Sequence, residues 1–186
     1  MHTPSALPSA PALPPLPASA LPRWYECRIP PPVIDAAAAA LMLWAVRAVP
    51  AAQLWSAGGN ALIWGAALLL AAAGSAIALA GLHSFWQART TPNPFTPARS
   101  RQLATHGIYR RTRNPMYAGM WLILAGWGVW LGNAAALLPL AAAPLALNFF
   151  QIAAEERILR ARFGREYEHW CARTPRWFVN VGKKTA

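Results

Sequence analysis

Glu155 and Glu156, with Gln151 one turn and Asn148 two turns before Glu155, form a group of side chains able to hold a cation, orient a nucleophile or take up a proton. Asn148, Gln151 and Glu155 fall at i, i+3 and i+7, which on a regular helix lines them along one face. A second group lies in residues 107–119, where Gly107, Tyr109, Arg110, Arg111 and Arg113 run into Asn114-Pro115-Met116-Tyr117. A residue before proline avoids the α region, proline suits the first helical position, and asparagine is a strong N-cap. A helix is therefore expected to start at this Asn-Pro step. Its N-terminal amides and the nearby arginines suit a small molecule bearing a carboxylate or phosphate. The plainer readings are an interfacial belt, with Arg on lipid phosphates and Tyr at headgroup depth, and a Glu156–Arg160 pair at i+4.

The elements that must position these groups belong to a membrane protein. The chain has 186 residues, of which 56% are apolar and 12% charged, against roughly 25% charged in soluble domains. The net charge of +11 would suit nucleic acid only as a stripe on a soluble fold. Here long uncharged runs separate the basic residues, so no nucleic-acid partner is expected. Cys27 and Cys171 show no paired spacing, and the four histidines are dispersed, so no metal site is expected.

The composition predicts an all-α, polytopic membrane helical bundle. Apolar runs at residues 33–49, 61–82, 116–131 and 134–152 make about four transmembrane helices within one domain, 33–186. Asp35 and Arg47 sit near the ends of the first run, where charge is cheaper than at the centre. Residues 1–32, dense in Pro and Ala, read as a disordered tail. Small residues along the second run, Gly65, Gly74 and Gly81, suit close packing within the chain or against a second copy. The loop after that run carries six arginines and the segment after the fourth run eight basic residues, while the two opposite connections carry none. The positive-inside rule places the basic loop and both termini in the cytoplasm. Leu159, Phe163, Tyr167 and Trp170 recur at helical spacing among arginines. They predict a C-terminal amphipathic helix that lies on the membrane or packs over the loop.

The order Gly107-Ile108-Tyr109, Arg113-Asn114-Pro115-Met116-Tyr117 and Gly119, a helical hairpin, Glu155-Glu156, Phe163-Gly164, Glu166-Tyr167 and Arg173-Thr174-Pro175-Arg176 resembles one membrane enzyme group. It is that of the isoprenylcysteine carboxyl methyltransferases and phospholipid methyltransferases. The likeness covers a catalytic region of about 83–178. It implies S-adenosylmethionine (SAM) bound between the basic loop and the last two spans. By position Arg101-Gln102-Leu103-Ala104 matches contacts to the nucleoside. Tyr109 and Asn114-Pro115-Met116-Tyr117 match the main cofactor motif, with Gly107 and Glu156 beside them. The family often has His where this chain has Asn114. Glu155 matches the acidic residue near the transferred methyl, and Arg113 and Gln151 complete the catalytic candidates. The carboxyl methyltransferases have an arginine one turn before that glutamate, suited to an acceptor carboxylate. Gln151 is neutral, which argues against a prenylcysteine acceptor.

The expected function is SAM-dependent methyl transfer to a lipidic or amphiphilic acceptor at the cytoplasmic interface of a membrane, expected to be the bacterial inner membrane. Two other readings share the features: a sterol-type reductase using NADPH, which usually has more spans, and a non-enzymatic four-helix membrane protein touching anionic lipid.

Overall fold

The computed structural model describes residues 15–87 and 103–178. Helix α1 is Pro31–Ala48, α2 is Ala61–Gln87 and α3 is Pro115–Leu131. A fourth helical run starts with a 3-10 turn at Ala134–Ala136 and continues through α4, Leu137–Leu147, and a π turn, Asn148–Ile152. It ends in α5, Ala153–Phe163, and Gly164 separates this from α6, Arg165–Arg173. Among the described residues there is no strand, only a lone bridge between Gln53 and Asn133. The chain is an all-α membrane bundle. The runs Pro31–Ala48, Ala61–Gln87 and Ala134–Arg173 are long and apolar enough to cross a bilayer. Helix α3 is shorter at 17 residues, about 26 Å at 1.5 Å per residue and close to the hydrocarbon thickness.

Between helices in lipid, close packing replaces the hydrophobic drive, and the glycines show how. Helices α2 and α3 meet at backbone distance, where a Cβ on Gly74 would strike the Gly119 carbonyl and one on Gly119 the Gly74 carbonyl. Gly74 and Gly81 thus serve contact within the chain, and this contact fixes α3, while Gly65 faces open space. Helix α1 closes the other side on α3 and α4 through Ala38, Met42, Leu124, Leu131, Ala136 and Ala143.

The apolar helices keep backbone polar groups satisfied even where they are irregular, as a bilayer demands. Pro144 lies inside α4 and has no N–H for the carbonyl of Leu140. The Trp121 indole N–H from α3 donates to that carbonyl at 3.0 Å. At the far end Asn133 donates to the Val49 carbonyl at 3.0 Å and its Oδ1 accepts from the Ala135 N–H at 2.8 Å, joining two connections.

Two expectations are corrected here. Residues 15–30 do not hang free as part of a tail. They fold onto the bundle, with Ala20, Glu26 and Cys27 buried, and α1 already begins at Pro31. Proline density excludes an interior helix but allows 3-10 and extended backbone, and proline at a helix start is favoured. The amphipathic C-terminal helix is in fact two, α5 and α6. Their Leu159, Phe163, Tyr167 and Trp170 pack with Ala104, Tyr109 and Phe85, so this element covers the end of the loop.

Candidate active site

The start of α3 is stitched to the chain's C-terminal segment. Asn114 adopts φ −129°, ψ 57° ahead of Pro115, and the Ala118 N–H donates to its carbonyl at 3.0 Å, so the helix starts at the Asn-Pro step. The Asn114 side chain, however, does not cap the helix. Its Nδ2 donates to the Arg176 carbonyl at 3.1 Å, and the fully buried Thr112 hydroxyl donates to the same oxygen at 2.9 Å. The Arg113 N–H donates to the Pro175 carbonyl at 2.9 Å. Three consecutive residues of the loop thereby hold residues 175–176. The N-cap role expected for Asn114 gives way because its amide is taken by the half-buried Arg176 carbonyl of another segment.

This stitching aligns three charged side chains. Arg176 donates from Nε and Nη2 to the two oxygens of Glu156, at 2.9 and 2.5 Å, and from Nη1 to Asn148 Oδ1 at 2.7 Å. Arg113 Nη1 lies 3.1 Å from Glu156 Oε1 and donates to Cys171 Sγ at 2.7 Å. Hydrogen bonding to Glu156 raises the pKa of the Arg176 guanidinium above its usual value, against the opposing effect of burial. Glu156 is not paired with Arg160, which instead lies 5.9 Å over the Tyr167 ring. Of the loop arginines, Arg110 and Arg111 are exposed and Arg113 turns inward.

The three charges stand at the polar end of a cavity of about 930 Å³. Its remaining wall is mostly apolar and includes Trp121, Leu122, Pro144, Leu145 and Trp177. That volume lies toward the upper end of the ~300–1,000 Å³ typical of small-molecule sites. A few convergent polar groups on an apolar wall are also typical of such sites.

The polar face expected at Asn148, Gln151 and Glu155 is reorganised by the π turn. On a regular helix Asn148 and Glu155 share a face, but a π turn contains one extra residue. Residues after it are set back by one position, so Asn148 meets Arg176 together with Glu156. Glu155 faces the other way, half-buried, where its Oε1 accepts from the Tyr117 hydroxyl and from Gln151 Nε2, both at 2.7 Å. No ion pair to Glu155 occurs among the described residues. Glu155, Gln151 and Tyr117 do not line the cavity, whereas Arg113, Asn148 and Glu156 do.

The other candidates are distributed around this centre. Pro115 and Met116 lie against Gly81 of α2. Gly107 has φ +59°, and a Cβ there would come within 2.8 Å of Ser84 Oγ, so this position needs glycine. Ala104 and Tyr109 are buried and Leu103 half-buried in the aromatic cluster under α6, where the Trp170 indole donates to the Tyr109 carbonyl at 3.0 Å. Arg101 and Gln102 lie outside the described residues. Sequence reasoning missed Arg176 as a site residue, although the quoted Arg-Thr-Pro-Arg run contains it. Its signal was an arginine placed after a proline stop, with no acidic residue near it in sequence.

Comparison with known proteins agrees with this architecture. A family description, phospholipid methyltransferase, matches residues 60–166, from α2 through α5. An uncharacterized protein of Haemophilus influenzae is 44% identical over 62 residues, 33% of this chain and 98% of that protein. No solved structure matches.

Proposed function

The chain belongs to the phospholipid methyltransferase family, and from that premise we propose that this membrane methyltransferase takes its methyl group from SAM and passes it to a lipidic or amphiphilic acceptor. The observation that carries the proposal is the Arg113–Glu156–Arg176 cluster at the polar end of a large, mostly apolar cavity. The donor set fits the cofactor. Two guanidinia suit its amino-acid carboxylate, Glu156 and Asn148 suit its ammonium, and Trp121 and Trp177 suit its base or its sulfonium. The buried Arg113 Nε has no hydrogen-bond partner among the described residues, so the wall has a donor to offer. Bound SAM supplies a methyl made electrophilic by its sulfonium; the protein's part is to align the partners and exclude water.

The two adjacent carboxylates then differ in role because their partners differ. Glu156 is held between two guanidinia on the cavity wall, so it is assigned to binding. Glu155 has only neutral donors, Tyr117 and Gln151, and lies off the wall of the cofactor cavity. Its proposed role, orienting the acceptor and taking its proton, therefore requires the acceptor to approach from the Tyr117 side. Gln151 stands where a carboxylate-binding arginine is expected in the carboxyl methyltransferases. Its amide is engaged with Glu155, which supports an acceptor other than a prenylcysteine carboxylate. Of the other candidates, Asn114, Pro115, Met116 and Tyr117 hold the wall of the site, Leu103, Ala104 and Tyr109 build the contact with α6, and Gly107 fits the loop against Ser84 of α2; Arg101 and Gln102 are proposed for the nucleoside. The basic end of the bundle is proposed to face the cytoplasm of a bacterial inner membrane.

Calorimetry on the purified full-length protein, with SAM and NADPH added separately, tests the reading. Binding of SAM alone is expected. Binding of NADPH alone would replace it with the reductase reading, and binding of neither would remove the enzyme reading altogether.

A further inference from the structure

Residues 21–27, outside the family-matched stretch, touch the fourth helical run where its register changes. The Cys27 N–H donates to the Phe150 carbonyl at 2.9 Å, in the middle of the π turn. The Tyr25 ring stacks on Phe149 at 5.2 Å and meets Phe150 edge-on at 6.4 Å. One residue beyond Glu156, Arg157 pairs with Glu26 at 2.5 Å and donates to the Leu21 carbonyl at 3.3 Å. Glu26 is itself fixed by the Arg23 N–H at 2.7 Å. Cys27 holds φ +55°, a left-handed backbone that a side-chain-bearing residue keeps only where its surroundings impose it. The chain is bent there to deliver an N–H to Phe150.

A π turn is rare and breaks the regular i→i+4 ladder. Something must hold it, and these residues touch both its middle and the helix that follows it. Relaxing it to α-helix would rotate everything downstream by about 100°. Glu155 would then take the place of Glu156 beside Asn148, Arg113 and Arg176.

We propose that Glu26 and Arg157 are positioning residues: the strap they close holds the π turn, and with it the register that gives Glu156 to the arginines and Glu155 to Tyr117. The effect on turnover rests on the methyl transfer proposed above; the effect on register does not.

The test uses the full chain in nanodiscs of phosphatidylethanolamine and phosphatidylglycerol. It compares Glu26→Gln, Arg157→Gln and the reversed pair Glu26→Arg/Arg157→Glu with wild type. Hydrogen exchange of residues 148–157 is followed by mass spectrometry, as is thiol labelling of the Cys27 peptide. Methyl-labelled SAM reports transfer to the nanodisc lipid. Both single variants are expected to exchange and label at least tenfold faster. Their kcat should fall at least tenfold, with KM for SAM moving less. The reversed pair, which regains the ion pair but not the bonds to Arg23 and Leu21, should recover part of both losses. Exchange and labelling within twofold of wild type in both singles overturn the proposal, whether or not the nanodisc holds the acceptor. So does a fall in kcat that matches a loss of folded protein and of which the reversed pair recovers no part. A wild type that binds no SAM counts against the proposed function and leaves the exchange result standing.

Discussion

Replacing Arg176 by alanine removes the guanidinium and keeps the backbone that the site is stitched to, since Thr112 and Asn114 bond the residue 176 carbonyl. Lost are the two-pronged bond to Glu156 and the bond to Asn148. Bonds to charged groups contribute about 1.5–3 kcal/mol when well shielded. The Arg176 side chain is 37% exposed, so solvent screening reduces its share toward about 1 kcal/mol. Glu156 still has Arg113 at 3.1 Å, so no buried charge is stranded. The variant should therefore fold, less stable by about 1 kcal/mol. Binding should suffer more. A guanidinium–carboxylate contact that forms in a partly dry cavity contributes about 2–3 kcal/mol, roughly thirty- to a hundred-and-fiftyfold in Kd. Calorimetry should show that loss for SAM and for S-adenosylhomocysteine, which share the amino-acid carboxylate. Methylthioadenosine, which lacks it, should bind the variant as it binds wild type. Arg176→Lys should fall between, keeping the charge without the fork. SAM affinity within threefold of wild type in Arg176→Ala, or an equal loss for methylthioadenosine, would refute the assignment.

Glu155→Gln should lower methyl transfer by about a hundredfold or more, the scale of a lost proton acceptor, with SAM affinity within threefold by calorimetry. Trp121→Phe leaves the Leu140 carbonyl without its donor beside Pro144 and should destabilise the folded protein by about 1 kcal/mol, read from thermal unfolding in detergent. Burial works to raise the pKa of Glu26, but the hydrogen bonds and charges of Arg157 and Arg23 outweigh it and hold it below its usual 4.5. The stability Glu26 contributes is thus fully present above that value and lost as pH falls through the lower folded one. Melting temperatures of wild type and Glu26→Gln should accordingly differ by a constant amount from pH 6 to 8 and draw together as pH falls below 4.5.

Much of the fold was legible because it follows from local chemistry. An uncharged apolar run must be a helix in lipid, and Asn114-Pro115 marks where α3 begins. The errors share one physical source, contacts between residues remote in sequence. Asn114 fits the N-cap pattern, yet its amide serves the carbonyl of Arg176, 62 residues away. Asn148 and Glu155 are seven apart, and only the π turn reveals that Glu156 takes the shared face. That turn is held from Cys27, and no spacing rule reaches so far. Pro-rich residues 15–30 read as a tail because their few anchoring side chains, Tyr25, Glu26 and Cys27, acquire meaning only against Phe149, Phe150 and Arg157.

The two breaks in the fourth helical run share a cause in the membrane and a consequence at the cavity. A helix inside a bilayer can surrender a backbone bond only where a neighbour supplies the missing partner. At Pro144 the partner is the Trp121 indole, which also lines the cavity. At the π turn it is the Cys27 N–H, and Asn148, the first residue of that turn, lines the cavity as well. Both irregularities therefore bear on one wall. A straight, unbroken α4–α5 would return Glu155 to the face of Asn148 and deny Arg113 and Arg176 their shared carboxylate. Each break is bridged by a single outside donor, so the wall can be altered at either end independently. Trp121 belongs to the apolar wall of the cavity, and the proposed strap acts on the charges at its polar end.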